Sequence, residues 1–207
     1  HDAPSPPAHS QDAAPARPRL AFGLAPWNMV AIVLPTTATI MGDSLLYVVL
    51  PVTVAGFGIH ETWGLSPAFW VGFALSINRF IRLGSNAVAA AAYRRFGFRA
   101  PFVSATLLGA ATTLAYAFGS GLIVLLLARA LWGVCYSFLR LAAYLGALES
   151  GSERMRGRLL GFFNASSRLG SFVAVTAGAA LVAATDRAVG FAVVAGVGLL
   201  GLAVALK

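Results

Sequence analysis

GLIVLLLARALWGVCYSFLRLAAYLGA, residues 121–147, carries only two charged residues, Arg129 and Arg140, and no proline. A helix rises 1.5 Å per residue, so about 20 such residues cross the roughly 30 Å of hydrocarbon in a bilayer. A soluble core helix has no need of that length. Five further runs of similar length flank this one, giving expected spans at about 28–55, 67–91, 100–119, 121–147, 157–183 and 187–206. The period-two alternation of a membrane barrel is missing, which leaves helices as the way to satisfy the backbone in lipid. The composition agrees, with 58% hydrophobic and 11% charged residues.

Short connections join the runs. Turn formers fill 58–67, the stretch from Phe96 to Pro101 breaks the second run from the third, and Gly119 to Gly121 makes a tight third turn. Glu149 to Arg158 and the region from Thr185 to Arg187 complete the set. Residues 1–25 are rich in proline and alanine and read as a disordered cytoplasmic tail, followed by a six-helix bundle over 26–207. The His1 start and the position of Lys207 at the close of the sixth span are expected of a piece of a longer chain.

Charge placement tests this order independently of hydropathy. If six helices alternate, Arg17, Arg19, Arg94, Arg95, Arg99, Arg154, Arg156, Arg158 and Lys207 fall on one side and only Arg187 on the other. The bias toward basic cytoplasmic loops then places both ends in the cytoplasm, and a bacterial inner membrane is the expected location. The net charge of +8 is explained by helix ends facing anionic headgroups, and no nucleic acid is expected as a partner. Cys135 stands alone inside an apolar run and reads as a small packed hydrophobe. His60 lies in a loop, and no Ser/His dyad or metal-ligand spacing emerges, so neither catalysis, a cofactor nor a metal is expected.

Five arginines fall inside the expected spans: Arg79, Arg82, Arg129, Arg140 and Arg168. Lipid does not tolerate them cheaply, so they should face protein, water or the interface, and Arg140 and Arg168 could reach the interface by snorkelling. Asn78, Arg82 and Asn86 recur every four residues with Arg79 alongside, which makes one polar stripe on the second span. Arg129, Gly133, Tyr136 and Arg140 share a face of the fourth, and Asn164 and Arg168 repeat the pattern on the fifth. Asp43 is the one acidic residue within a span, and an interior arginine is its natural partner. That pair can be a structural salt bridge or a proton-coupling device. The surplus of arginine calls for an anionic substrate group or for water. Gly170, Ala174 and Gly178 on the fifth span, and the glycines of the sixth, favour close helix packing.

Arg129, Ala130, Leu131, Trp132 and Gly133, preceded by Leu125, resemble the fourth-helix pattern of the major facilitator superfamily, an arginine with glycine four positions later. Tyr93, Arg94, Arg95, Phe96, Gly97, Phe98 and Arg99 look like the end of its cytoplasmic loop motif between helices two and three. Ala90 and Arg94 stand where that motif has glycine and an acid, while Gly97 and Arg99 match. Gly157, Leu160 and Gly161 resemble the start of the family's fifth helix, without the glycine-proline signature of its antiporters. The chain from about residue 26 onward thus resembles the amino-terminal six-helix half of such a transporter.

The resemblance implies an all-α membrane bundle of two inverted three-helix repeats and a second six-helix bundle, expected in the same full-length chain. It further implies alternating-access transport of a small-molecule substrate. Asn78, Arg79, Arg82, Arg129, Tyr136, Arg140, Asn164 and Arg168 are then the expected pathway residues. Asp43 is the coupling or charge-balancing group, and Arg94, Arg95, Gly97 and Arg99 form the loop motif. A nontransporting membrane interaction or accessory protein that keeps the same architecture is the competing expectation.

Overall fold

The computed structural model describes the backbone of residues 26–149 and 153–206 and the side chains of 29–149 and 155–206. The expected tail, the centre of the Glu149 to Arg158 connection and Lys207 lie outside the described residues. The described residues are almost wholly helical, as their long apolar runs require. α1 covers Pro26–Val52, α2 Pro67–Phe96, α3 Arg99–Phe118 and α4 Leu122–Glu149. α5 covers Glu153–Val173 and continues through a π-helical segment, Ala174–Gly178, into α6, Ala179–Ala184. α7 covers Arg187–Ala205. The one extended contact among the described residues is an isolated antiparallel bridge between Thr62 and Leu65.

Among the described residues five stretches are long and apolar enough to cross a membrane: Met29–Val52, Arg99–Phe118, Leu122–Glu149, Met155–Ala184 and Arg187–Ala205. This is an all-α protein built like an integral membrane protein. The expected count of six differs by one. α2 forms over the expected second span and has 30 residues, so length is not what it lacks. Asn78, Arg79 and Arg82 sit in its middle and hold its hydropathy below that of the other five.

Local chemistry sets the helix ends. Ser66 caps α2, its hydroxyl accepting from the Phe69 N–H at 3.4 Å, with Pro67 in the first turn. Asp186 caps α7 in the same way, accepting from the Val189 N–H at 2.8 Å. α2 stops at Gly97, whose φ of 72° suits a residue without a Cβ, and α3 begins only two residues later. The basic positions Arg94, Arg95 and Arg99 are all exposed at this turn, with Arg95 lying 5.3 Å from the Phe96 ring centroid. α1 carries Pro35 and Pro51 internally, and near Pro35 the Thr36 and Thr39 hydroxyls donate to the carbonyls of Ile32 and Pro35, each at 2.6 Å.

The principal packing neighbours repeat. α2 lies on α4 as α5 lies on α1, and α3 lies on α4 as α7 lies on α1, while α3 meets α7 and α1 meets α4. Exchanging α1 with α4, α2 with α5 and α3 with α7 leaves these pairings unchanged, while the further pairing of α1 with α3 has no counterpart of similar extent between α4 and α7. Small residues permit the crossings: a Cβ on Gly201 of α7 would come within 3.3 Å of the Pro35 Cα on α1. The apolar core falls into two parts. One gathers Leu46, Leu50, Phe57, Trp70, Tyr116 and Phe191, and the other Tyr93, Phe98, Phe102, Trp132 and Leu139. Along α1 and α4 the boundary between them falls at Asp43 and Arg129.

Candidate functional site

Arg129 projects from α4 at this boundary and is completely buried. A buried guanidinium has to have its donors met, and here two neighbouring helices, α1 and α2, meet them. Nη1 forms an ion pair with Asp43 Oδ1 on α1. Nε donates to the Ala74 carbonyl on α2 at 3.0 Å, and Nη2 donates to the Leu75 carbonyl and the Tyr47 hydroxyl, each at 3.3 Å. Tyr47 in turn donates to the Leu75 carbonyl at 3.1 Å, and its ring centroid lies 5.2 Å from the Arg129 guanidinium carbon. Asp43 and Arg129 make the only ion pair among the described residues. The planar fork of arginine suits this job, since one side chain grips two successive helical carbonyls and still reaches a carboxylate.

Gly133, one turn further along α4, has a complementary role. A Cβ there would lie 2.7 Å from the Asn78 backbone oxygen and 3.0 Å from Ile81 Cβ. Its absence lets α2 press against α4 one turn beyond the two carbonyls that Arg129 holds. The spacing of arginine and glycine therefore has a physical meaning in this chain: the arginine clamps α2 and the glycine admits it. Below them the same seam continues with Arg82 over the Tyr136 ring at 3.8 Å, Ser85 and Ser137 hydroxyls 2.7 Å apart, and the Tyr93 hydroxyl donating to the Phe138 carbonyl at 3.0 Å.

The expected pathway residues divide by depth. Asn78 and Arg129 are buried, Arg82 and Tyr136 half-buried, and Arg79, Arg140, Asn164 and Arg168 exposed. Arg82 meets Tyr136 across the α2–α4 seam, and Asp43 meets Arg129 together with Tyr47. Arg140 instead donates from Nε to its own helix neighbour, the Tyr144 hydroxyl, at 3.0 Å. Asn164 and Arg168 sit on the open side of α5 and make no hydrogen bond or ion pair among the described residues. Both atoms of the Asn78 amide are buried without a hydrogen-bond partner.

Three partners of Arg129 were not assigned from the sequence, the Tyr47 hydroxyl and the carbonyls of Ala74 and Leu75. Tyr47 follows Asp43 by one helical turn on the same face, a signal that was present but shared with every tyrosine in an apolar run. The carbonyls of Ala74 and Leu75 have no side-chain signature at all. The chain matches no protein-family model, and no curated protein matches it either.

Proposed function

We propose that this chain is the amino-terminal half of a secondary active transporter of the major facilitator type, moving a small solute by alternating access. In this reading α2 crosses the membrane with the five apolar helices, its polar face turned toward α4 and the pathway. The principal pairings, unchanged when α1–α3 are exchanged for α4–α7, support two repeats of three helices. The bias of basic residues toward one end of the bundle supports a cytoplasmic placement of that end.

One observation carries the proposal: a completely buried arginine whose only anionic partner, Asp43, lies on a neighbouring apolar helix. Removing either partner leaves the other uncompensated, so the pair has two states with a clear difference in energy. Protonation of Asp43 frees the Nη1 side of Arg129 and loosens α1 from the α2–α4 seam. That is how a proton can be coupled to movement of the helices. Complete burial of Arg129, with Asp43 13% exposed, supports a coupling role for the pair and leaves contact with solute to the half-buried residues beside it.

The test is transport by the full-length chain in liposomes, across a broad panel of solutes, under a proton gradient and under exchange. Movement of one solute class, lost in both Arg129→Lys and Arg129→Gln, is expected, because lysine keeps the charge but cannot hold two carbonyls and a carboxylate together. No movement of any solute overturns the reading. The saturation of Arg129 by partners within the chain favours one second reading, a membrane accessory protein in which the pair is a strut. Recovery of a specific partner, with no transport by the assembled complex, is the result that selects it.

A further inference from the structure

Arg82 is half-buried in the middle of α2, yet it has no hydrogen bond and no ion pair among the described residues. Its Nε is buried without a hydrogen-bond partner. The guanidinium carbon lies over the Tyr136 ring, 3.8 Å from its centroid, so the ring covers one side of the group. Asp43, the acid carried by α1, is already engaged by Arg129. Counting the ionised forms, Arg82, Arg129 and Asp43 together carry one uncompensated positive charge. One turn back on the same face is the buried, unpartnered amide of Asn78, and one turn on is the exposed Asn86.

We propose that Arg82, covered on one side by Tyr136, is a binding site for the carboxylate of a small solute. The ring covers one side of the guanidinium and leaves hydrogen bonding to the edge, and the edge of a guanidinium matches the two oxygens of a carboxylate. A carboxylate also supplies the charge that the cluster lacks, in a setting where an unpaired cation is costly. Tyr136 is thus a positioning residue, and Arg82 is the group that touches the ligand. The inference rests on the transporter reading, since the carboxylate has to arrive through water from one side of the membrane.

The experiment uses the full-length chain in liposomes with Cys135→Ser, so that a cysteine placed by Asn86→Cys is the reporter within the described residues. Its rate of modification is measured with an anionic and a cationic methanethiosulfonate reagent, with and without acetate at constant ionic strength. The expected result is a preference for the anionic reagent that acetate suppresses. In Arg82→Gln the preference falls about tenfold and acetate has no effect, as loss of a focusing positive charge requires. Arg82→Lys keeps most of the preference but loses much of the acetate protection, and Tyr136→Phe, which keeps the ring, behaves like the parent. Reaction with both reagents that neither acetate nor Arg82→Gln alters overturns the carboxylate site and leaves the transporter reading standing. Failure of both reagents to reach the cysteine overturns the site and removes the aqueous pathway as well.

Discussion

α2 and α5 occupy corresponding places in the bundle, one laid against α4 and the other against α1, yet they are held by different chemistry. Along α2 the seam carries the Arg129 clamp, the Gly133 crossing, the Arg82 contact with Tyr136, a serine pair and the Tyr93 hydroxyl. Along α5 the polar link to α1 among the described residues is a single serine pair, Ser44 to Ser171 at 2.9 Å, beside small-residue contacts and the buried Phe163. Gly170 lies against Thr37 and Met41, and a Cβ at Gly178 would come within 3.3 Å of Leu45 Cδ1. Only 11% of an apolar 18-residue stretch within Met155–Ala184 is buried, against 67% of the equivalent stretch within Met29–Val52. The π-helical segment falls in this loosely held arm, where a widened turn costs little packing. The lesson is that matching topology does not impose matching rigidity: α2 is locked to its neighbour, and α5 is only leaned on its own.

The sharpest way to break this comparison is to remove the carboxylate. Asp43→Ala leaves Arg129 buried and unpaired, and should lower unfolding stability in detergent by about 3–5 kcal/mol. If Ser44→Ala, which touches only the α5 seam, costs as much, the contrast between the two arms is wrong.

A smaller effect is expected from filling the crossings. Gly133→Ala puts a methyl against the α2 backbone, which cannot rotate aside, and should cost about 1–3 kcal/mol by thermal unfolding. Gly170→Ala meets the Thr37 side chain, which can turn, and should cost visibly less. Reversal of that order would show that α5 is the more tightly seated helix. The least effect is expected from Ser171→Ala, about 0.6 kcal/mol, the usual size of one interhelical hydrogen bond in a membrane. A loss larger than that of Gly133→Ala would make the serine pair the main fastening and α5 the locked arm.

Much of the helical layout was legible in the sequence because apolar runs, turn formers and helix length are local properties. The pairing of Asp43 with an interior arginine was legible for a different reason, scarcity: one acid in an apolar run has few ways to be compensated. Depth was not legible. Periodicity places Asn164 and Arg168 on one face of α5 just as it places Arg129 and Gly133 on one face of α4, but it does not say which face meets a neighbour. In the first case both residues are exposed, and in the second both are buried. α2 shows the same limit from the other side, since the residues that lower its hydropathy include those that fasten it to α4.

One end of the bundle is tied across three connections. The Gly121 N–H donates to the Phe57 carbonyl at 2.8 Å, and Arg187 donates to the Gly119 carbonyl at 3.1 Å while its guanidinium carbon lies 4.3 Å from the Phe57 ring centroid. The segment after α1, the turn between α3 and α4 and the start of α7 are thereby stitched into one knot. If the helices tilt, this knot serves as their fulcrum. A helix about 40 Å long that tilts by about 10° about such a point moves its far tip by about 7 Å and its near tip hardly at all. Leverage therefore runs toward the end that carries Arg94, Arg95 and Arg99, and that end has the longest stroke for any given tilt.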